Sequence, residues 1–392
     1  MIRNNIYDSK MHLFAIFIFS AITPLVLMAA PVLAQQLAKQ WLLTPSQVGL
    51  FFFIELGFMS CATLPGFIWT KKINFQKAAQ YFAILFFIGN LLSILATSFE
   101  MLLIGRAISA LGGGSLMIVT ITSCSYTKNP DRAYSYWMLG QVMLGAIALY
   151  CFPQLFNYWG LNTCFIVMLV AIVLAFPLHK YFANYLVEKK IAVQVSVAKK
   201  SGLGIFAIIA TLLFYGAIGG VWTFMSSIGE HANIDSHMIN SVLAISTLIG
   251  ISGSFIATFV SGRINRLYLI LVGYGLFFLS LCLLLDNISK IFLVVSILLF
   301  KFTWMFSAPF VLATVASLDQ SGKLINFTNL VIGGGLAFGP MLAGQLIENT
   351  GNYHMLILYT LMVFLCSFII VFYCNMQKQQ REQAVVVKNI KV

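Results

Sequence analysis

Three ionisable side chains stand in surroundings where charge is expensive. Glu55 lies in Phe51-Phe-Phe-Ile-Glu-Leu-Gly57, Arg106 in Leu103-Ile-Gly-Arg-Ala-Ile-Ser109, and Lys301 in Leu299-Phe-Lys-Phe-Thr-Trp304. An apolar environment disfavours the charged form of a carboxyl or an ammonium group. A carboxyl placed there can load and release a proton, or it can be held as the fixed partner of a cation. For Glu55 both uses stay open, with Arg106 or Lys301 as the cation. Two cations facing one cavity would attract an anionic group such as a carboxylate or phosphate, and structural pairing is the plainer use of Arg106. Lys301 has no such simple partner, which points to substrate or to coupling. Trp304 follows Lys301 by three residues, on about the same face of a helix. Tyr215 and Trp222 lie two helical turns apart on one face. Together they offer a stacking wall for an aromatic or amphipathic molecule, although ordinary helix packing uses aromatics too. Gln141 is a further intramembrane polar candidate, since such an amide commonly bonds a neighbouring helix.

The elements that carry these residues follow from composition. Of 392 residues, 60% are hydrophobic and 9% charged, with a mean hydropathy of +0.94. Soluble domains carry about 25% charged residues, so a soluble enzyme, a secreted domain and a disordered chain are all excluded. A bilayer core about 30 Å thick needs roughly 20 helical residues. On that ruler the chain divides into twelve apolar stretches, centred near Leu25, Gly57, Phe87, Leu111, Leu144 and Val173, then near Ala217, Thr247, Phe277, Lys301, Gly335 and Val363. The fold class is therefore all-α, a membrane protein of twelve transmembrane helices. Ala29-Ala-Pro-Val-Leu-Ala-Gln35 has the small residues of a signal-peptidase site. The apolar run from Met11 to Ala34 is longer than a signal segment, however, and Pro31 fits a cleavage site badly, so the run is read as the first span.

Orientation follows from the basic residues. With both termini on the cytoplasmic side, 19 of the 23 Lys and Arg fall inside; Lys39 and Lys290 fall outside, and Arg106 and Lys301 within spans. The net charge of +12 is thus a topology signal, and no nucleic-acid partner is implied. The seven cysteines lie singly, in no metal-ligand or disulfide pattern, and read as small apolar fillers.

The basic connection at 180–201 separates a first bundle (1–179) from a second (202–376), with a tail at 377–392. The halves repeat. Ala62-Thr-Leu-Pro-Gly-Phe-Ile-Trp-Thr-Lys-Lys-Ile73 closes span two, and Ala257-Thr-Phe-Val-Ser-Gly-Arg-Ile264 closes span eight. Gly140 and Gly145 of span five answer to Gly334 and Gly339 of span eleven. Two six-helix units in parallel topology place a substrate site near the midplane between them.

These features resemble the major facilitator superfamily (MFS) of secondary transporters over essentially the whole chain. Gly66-Phe-Ile-Trp-Thr-Lys-Lys72 is similar to that family's loop motif, without its acidic residue. Arg106 with Gly112-Gly-Gly114 resembles the motif of the fourth helix, with Ala110 in place of a glycine. Gly140-Gln-Val-Met-Leu-Gly145 resembles the fifth-helix motif, with Ala146 where antiporters carry proline. Asp319-Gln-Ser-Gly-Lys323 and Gly339-Pro-Met-Leu-Ala-Gly344 are similar to bacterial drug-efflux-type members. The resemblance implies that the fourth and tenth helices line the central cavity and that Arg106 assists proton movement with a carboxylate. It also implies a monomer in a bacterial inner membrane.

No Gly-x-x-x-x-Gly-Lys-Ser/Thr loop, no His-Glu-x-x-His and no interfacial His/Asp cluster occurs, so neither ATP hydrolysis nor metalloenzyme chemistry is indicated. The expectation is a transporter rather than an enzyme, without a cofactor, with a small-molecule substrate, protons and the lipid bilayer as partners. It moves a small organic molecule by alternating access, as proton-coupled efflux. Proton-coupled uptake of an organic anion, and a transporter-like sensor that moves nothing, are the alternatives. Glu55 and Arg106 are the expected proton-coupling residues, and Lys301, Trp304, Tyr215, Trp222 and Gln141 the expected substrate-binding ones. Pro24, Pro31, Pro153 and Pro309 are expected to kink their helices.

Overall fold

A computed structural model describes residues 9–183, 202–285, 288–318 and 323–390. Most of the basic connection, and residues 319–322 of the Asp319–Lys323 motif, lie outside the described residues. Among those described, ten helices are long and apolar enough to cross a membrane, and two shorter apolar helices, Lys10–Ile22 and Arg266–Cys282, complete the twelve expected positions.

Span one runs Lys10–Ile22, Leu25–Met28 and Ala30–Trp41, followed by span two at Pro45–Trp69, span three at Phe75–Ile94 and span four at Phe99–Cys124. Spans five and six are Pro130–Trp159 and Asn162–Tyr181. The second half holds Leu203–His231, Ser236–Val260, Arg266–Cys282, Lys290–Leu318, Lys323–Thr350 and Tyr353–Ile390 as spans seven to twelve. Where no water reaches the backbone, a helix satisfies its own N–H and C=O groups, and this is why apolar runs of this length are helical. Exposed first-turn N–H groups are capped from side chains: Thr44 accepts from Gln47, Asn74 from Lys77, Ser98 from Met101 and Asp235 from Met238. Odd spans of each half start on the face where span one begins, called here the terminal face.

The prolines divide into two kinds. Span one is interrupted at Thr23–Pro24 and again at Ala29, just before Pro31. Pro153 and Pro309 instead lie inside helices that continue past them. Pro340 does the same in span eleven.

Small residues bring the spans together, as packing without a hydrophobic drive between helices requires. In span five, a side chain at Gly140 would run into the Phe17 carbonyl of span one, and one at Gly145 would meet Met28. In span eleven, Gly339 lies against Gly216 of span seven in the same manner, but the other close approach, to the Leu212 carbonyl, falls on Gly335 and not on the expected Gly334, where a side chain would meet only the end of Leu212 at 3.7 Å. Span five thus seats on span one as span eleven seats on span seven, and the repeat seen in the chain is a repeat of contacts. Between the halves, span two lies along span eleven. Gly49 abuts the Pro340 carbonyl, Gly344 abuts that of Pro45, and the Ser60 hydroxyl donates to the Leu330 carbonyl at 3.0 Å. On the face opposite the termini, Lys39 donates to Glu230 at 2.8 Å and the Ser46 N–H donates to Glu348 at 3.0 Å, each across the two halves.

Candidate functional site

The three intramembrane charges occupy two separate places. Glu55 is ten residues inside span two, about 15 Å from its end at 1.5 Å per residue, and only 2% exposed. Arg106 of span four reaches it in a two-pronged pair, Nε to Oε2 at 2.9 Å and a terminal guanidinium nitrogen to Oε1 at 2.7 Å. The other terminal nitrogen donates to Asn90 Oδ1 of span three at 3.0 Å. Asn90 is itself fixed, its amide donating to Ser109 Oγ at 3.0 Å and to the Phe86 carbonyl at 2.8 Å. The Phe165 ring of span six covers the guanidinium, 4.9 Å from its carbon. Span three comes this near because Gly89 lies against the Ser109 backbone and Gly105 against Ser93. A fork-shaped guanidinium meeting a carboxylate with two parallel bonds is the strongest side-chain pair available. Here it belongs wholly to the first half.

Lys301 is also fully buried, yet no oxygen answers it. Among the described residues its Nζ has no hydrogen-bond partner. It is held instead between two indoles, 3.9 Å from the Trp222 ring and 4.2 Å from that of Trp304. The rings meet edge to face, with centroids 6.1 Å apart at 69°, and Phe300 stacks on Trp222 from 6.4 Å. Gly250 of span eight gives room for the lysine stem, a Cβ there lying 3.3 Å from Lys301 Cγ. A cation between aromatic faces gains about 2 kcal/mol or more once desolvated. That does not match the oxygen ligands water would give it.

Trp222 also ties this cage to the other half. Its Nε1–H donates to the Leu27 carbonyl at 3.1 Å, in the short piece of span one between the two interruptions. In an unbroken helix that carbonyl would accept from the residue four places on, but Pro31 has no N–H to give. The indole supplies the bond that the proline withholds.

Of the expected residues, the structure brings Glu55 and Arg106 together, and separately Lys301, Trp222 and Trp304. Tyr215 does not join the latter group. It is buried against Phe214, ring to ring at 5.2 Å, and against Gly335 of span eleven, so the wall from Tyr215 to Trp222 is not continuous. Among the described residues Gln141 bonds no neighbouring helix; its amide donates at 3.4 Å to the Trp137 carbonyl one turn back. Asn90, which the sequence reading passed over, completes the Arg106 site. Like Gln141 it is an amide within a span, and it does bond a neighbouring helix. Among the described residues no group of three or more His, Cys, Asp or Glu could hold a metal ion.

The family model described as the Major Facilitator Superfamily matches residues 13–201 and 207–388. No curated protein matches the chain by sequence. Solved structures do match. The nucleoside transporter NupG aligns over 93% of this chain and 99% of its own, with a TM-score of 0.73 at 12% identity. The inward-facing, unoccupied bacterial homologue of the human lysosomal transporter Spinster aligns over 93% and 96%, at 0.69 and 12%. A D-xylose–proton symporter aligns over 93% and 97%, at 0.69 and 13%. At these identities the likeness concerns the fold.

Proposed function

The chain belongs to the Major Facilitator Superfamily, a family of multi-pass secondary transporters, and we propose that it moves a small organic anion with an aromatic or apolar body by proton-coupled alternating access. The observation that carries this reading is the ammonium group of Lys301, enclosed by two indoles and without an oxygen partner among the described residues. A carboxylate or phosphate arriving there would gain a nearly unscreened counter-charge. Trp222 and Trp304 would stack on the rest of the molecule. The site of this proposal is Lys301, Trp222 and Trp304, without Tyr215 and Gln141. The membrane is a bacterial inner membrane, with both termini cytoplasmic, as the distribution of Lys and Arg supports, and the protein acts as a monomer. Export is the direction supported by Gly339-Pro-Met-Leu-Ala-Gly344, which is similar to efflux-type members.

Glu55 is the proton carrier in this reading and Arg106 its counter-charge. Protonating Glu55 removes the charge of the carboxylate and leaves Arg106 with only neutral acceptors on Glu55 and Asn90. Span two carries that pair on one side and the seam between halves on the other. Phe53 packs on Phe338 with ring centroids 5.1 Å apart, and Gly57 faces Ala337. A change in the pair is therefore one helix away from the contact that alternating access has to open.

Two measurements test the proposal. Thermal-shift titrations with aromatic carboxylates and their neutral amides should show Lys301→Ala losing the carboxylate preferentially; equal losses for both would reduce Lys301 to packing. In proteoliposomes, Glu55→Gln should abolish accumulation driven by a proton gradient while keeping exchange. Wild-type rates with unchanged pH dependence in that variant would refute the coupling role.

A further inference from the structure

A groove descends from the terminal face between spans one and five. Its upper part, about 520 Å³, is lined by Lys10, Phe14 and Phe17 of span one and by Arg132, Tyr136 and Met143 of span five. Its continuation, about 380 Å³, shares Phe14, Phe17 and Met143, has apolar walls throughout, and is completed by span six at Ala171 and Leu174. The arrangement follows from helical period, since residues three and four apart share a face. Each wall begins with a cation and carries an aromatic ring one turn later, Lys10 before Phe14 and Arg132 before Tyr136. The helices touch at the floor because Gly140 has no side chain to meet the Phe17 carbonyl. Phe14, Ile147 and Leu174 are exposed along the rim, so in a membrane the open side faces the acyl chains.

Among the described residues neither cation meets a carboxylate. Arg132 donates to the Tyr136 hydroxyl at 3.3 Å and lies over its ring at 5.6 Å. Both contacts are with a neutral group and leave the charge in place. The Tyr136 hydroxyl accepts in that bond, which leaves its own O–H as a donor beside the two cations. No ion pair holds the Lys10 ammonium. Length is the second constraint. From Lys10 to Ile22, which also lines the lower part, span one descends roughly 18 Å at 1.5 Å per residue. One leaflet of hydrocarbon is roughly 15 Å deep, half of the bilayer core. A charged mouth above an apolar channel of one leaflet's depth has the shape of a phospholipid. A soluble anion would leave the apolar part unused, and a zwitterionic lipid would bring no net charge to the mouth. Cations at a bilayer surface attract anionic headgroups.

We propose that this groove binds one anionic phospholipid, with an acyl chain between spans one and five and the headgroup phosphate between Lys10 and Arg132. The purified full chain is titrated in detergent with phosphatidylglycerol, with phosphatidylcholine of the same acyl chains and with glycerol phosphate, following the thermal midpoint. Phosphatidylglycerol should stabilise most. Lys10→Gln and Arg132→Gln should each weaken it about fivefold, and both together about 25-fold. Arg132→Lys should keep the binding, which separates lost charge from altered packing. Ala171→Leu narrows the apolar part and should weaken both lipids. Arg263→Gln is the control, its exposed guanidinium stacking on Phe259 at 4.1 Å outside the groove, and it should bind as wild type does. The proposal fails if the two lipids stabilise alike, or if glycerol phosphate matches phosphatidylglycerol. It fails equally if the Lys10 and Arg132 variants respond as the Arg263 control does, or if Ala171→Leu binds both lipids as wild type does. Lys10 and Arg132 are exposed, and size-exclusion profiles of their variants keep a folding defect distinct from lost binding.

Discussion

The first half of the molecule buries a charge together with its partner; in the second, Lys301 is buried with no hydrogen-bond partner among the described residues. Arg106 spends its guanidinium on Glu55 and Asn90 within spans two, three and four, so the group is neutral as a unit and satisfied wherever that half moves. Lys301 sits between Trp222 and Trp304, and Trp222 in turn holds a carbonyl of the other half. The first arrangement can stand without any ligand. The second leaves an ammonium with no oxygen partner among the described residues at the place where the halves touch, which is where the proposed substrate would bind. Breaking a buried pair leaves an uncompensated charge, whereas removing an unanswered charge relieves one. The two sites should therefore respond to mutation with opposite signs.

The largest effect is expected at the pair. Arg106→Ala strands Glu55 and should cost about 3–5 kcal/mol of stability, read as a lowered midpoint in detergent. Replacing both partners by apolar residues, Glu55→Leu with Arg106→Met, should recover most of that loss. A double variant as unstable as the single one would mean that the pair is not what holds these spans. Next, Lys301→Met should leave stability unchanged or raise it by up to about 1–3 kcal/mol, the cost of an unpaired polar group, while anion binding disappears. A clear fall in the midpoint would erase the contrast between the halves. Trp222→Phe keeps a ring beside Lys301 but removes the donor to Leu27, at about 0.5–1.5 kcal/mol. The same variant carrying Pro31→Ala should lose less, since an N–H at position 31 would serve that carbonyl. The smallest effect belongs to Lys39→Ala. Its bond to Glu230 is exposed, worth about 0.2–1 kcal/mol, and the difference from wild type should shrink as salt is raised.

Much of this was legible from residue types alone, and the exceptions share a cause. The twelve spans, the six-plus-six division and the burial of Glu55, Arg106 and Lys301 follow from runs of apolar residues and from glycine positions. Glu55 had two possible cations by that reasoning, and nothing local chose between them. Tyr215 and Trp222 share a helix face, yet they meet different neighbours, because span eleven reaches Tyr215 through Gly335 while span ten reaches Trp222 through Trp304. Asn90 passed unremarked although it carries the same kind of amide as Gln141.

The sequence by itself determined what each segment must be. A backbone without water has to be helical, an apolar run has to be about as long as the membrane is thick, and basic residues settle which ends share a side. Those are local demands, each met within some twenty residues. Which charge answers which was decided only by the tertiary structure. Spans two, three and four close on Glu55 and Arg106 because Gly89 and Gly105 let their backbones meet. Pro31 withholds an N–H from Leu27, and Trp222 supplies it from 195 residues away. Pairings of this kind depend on the distance between helices, which no stretch of sequence contains.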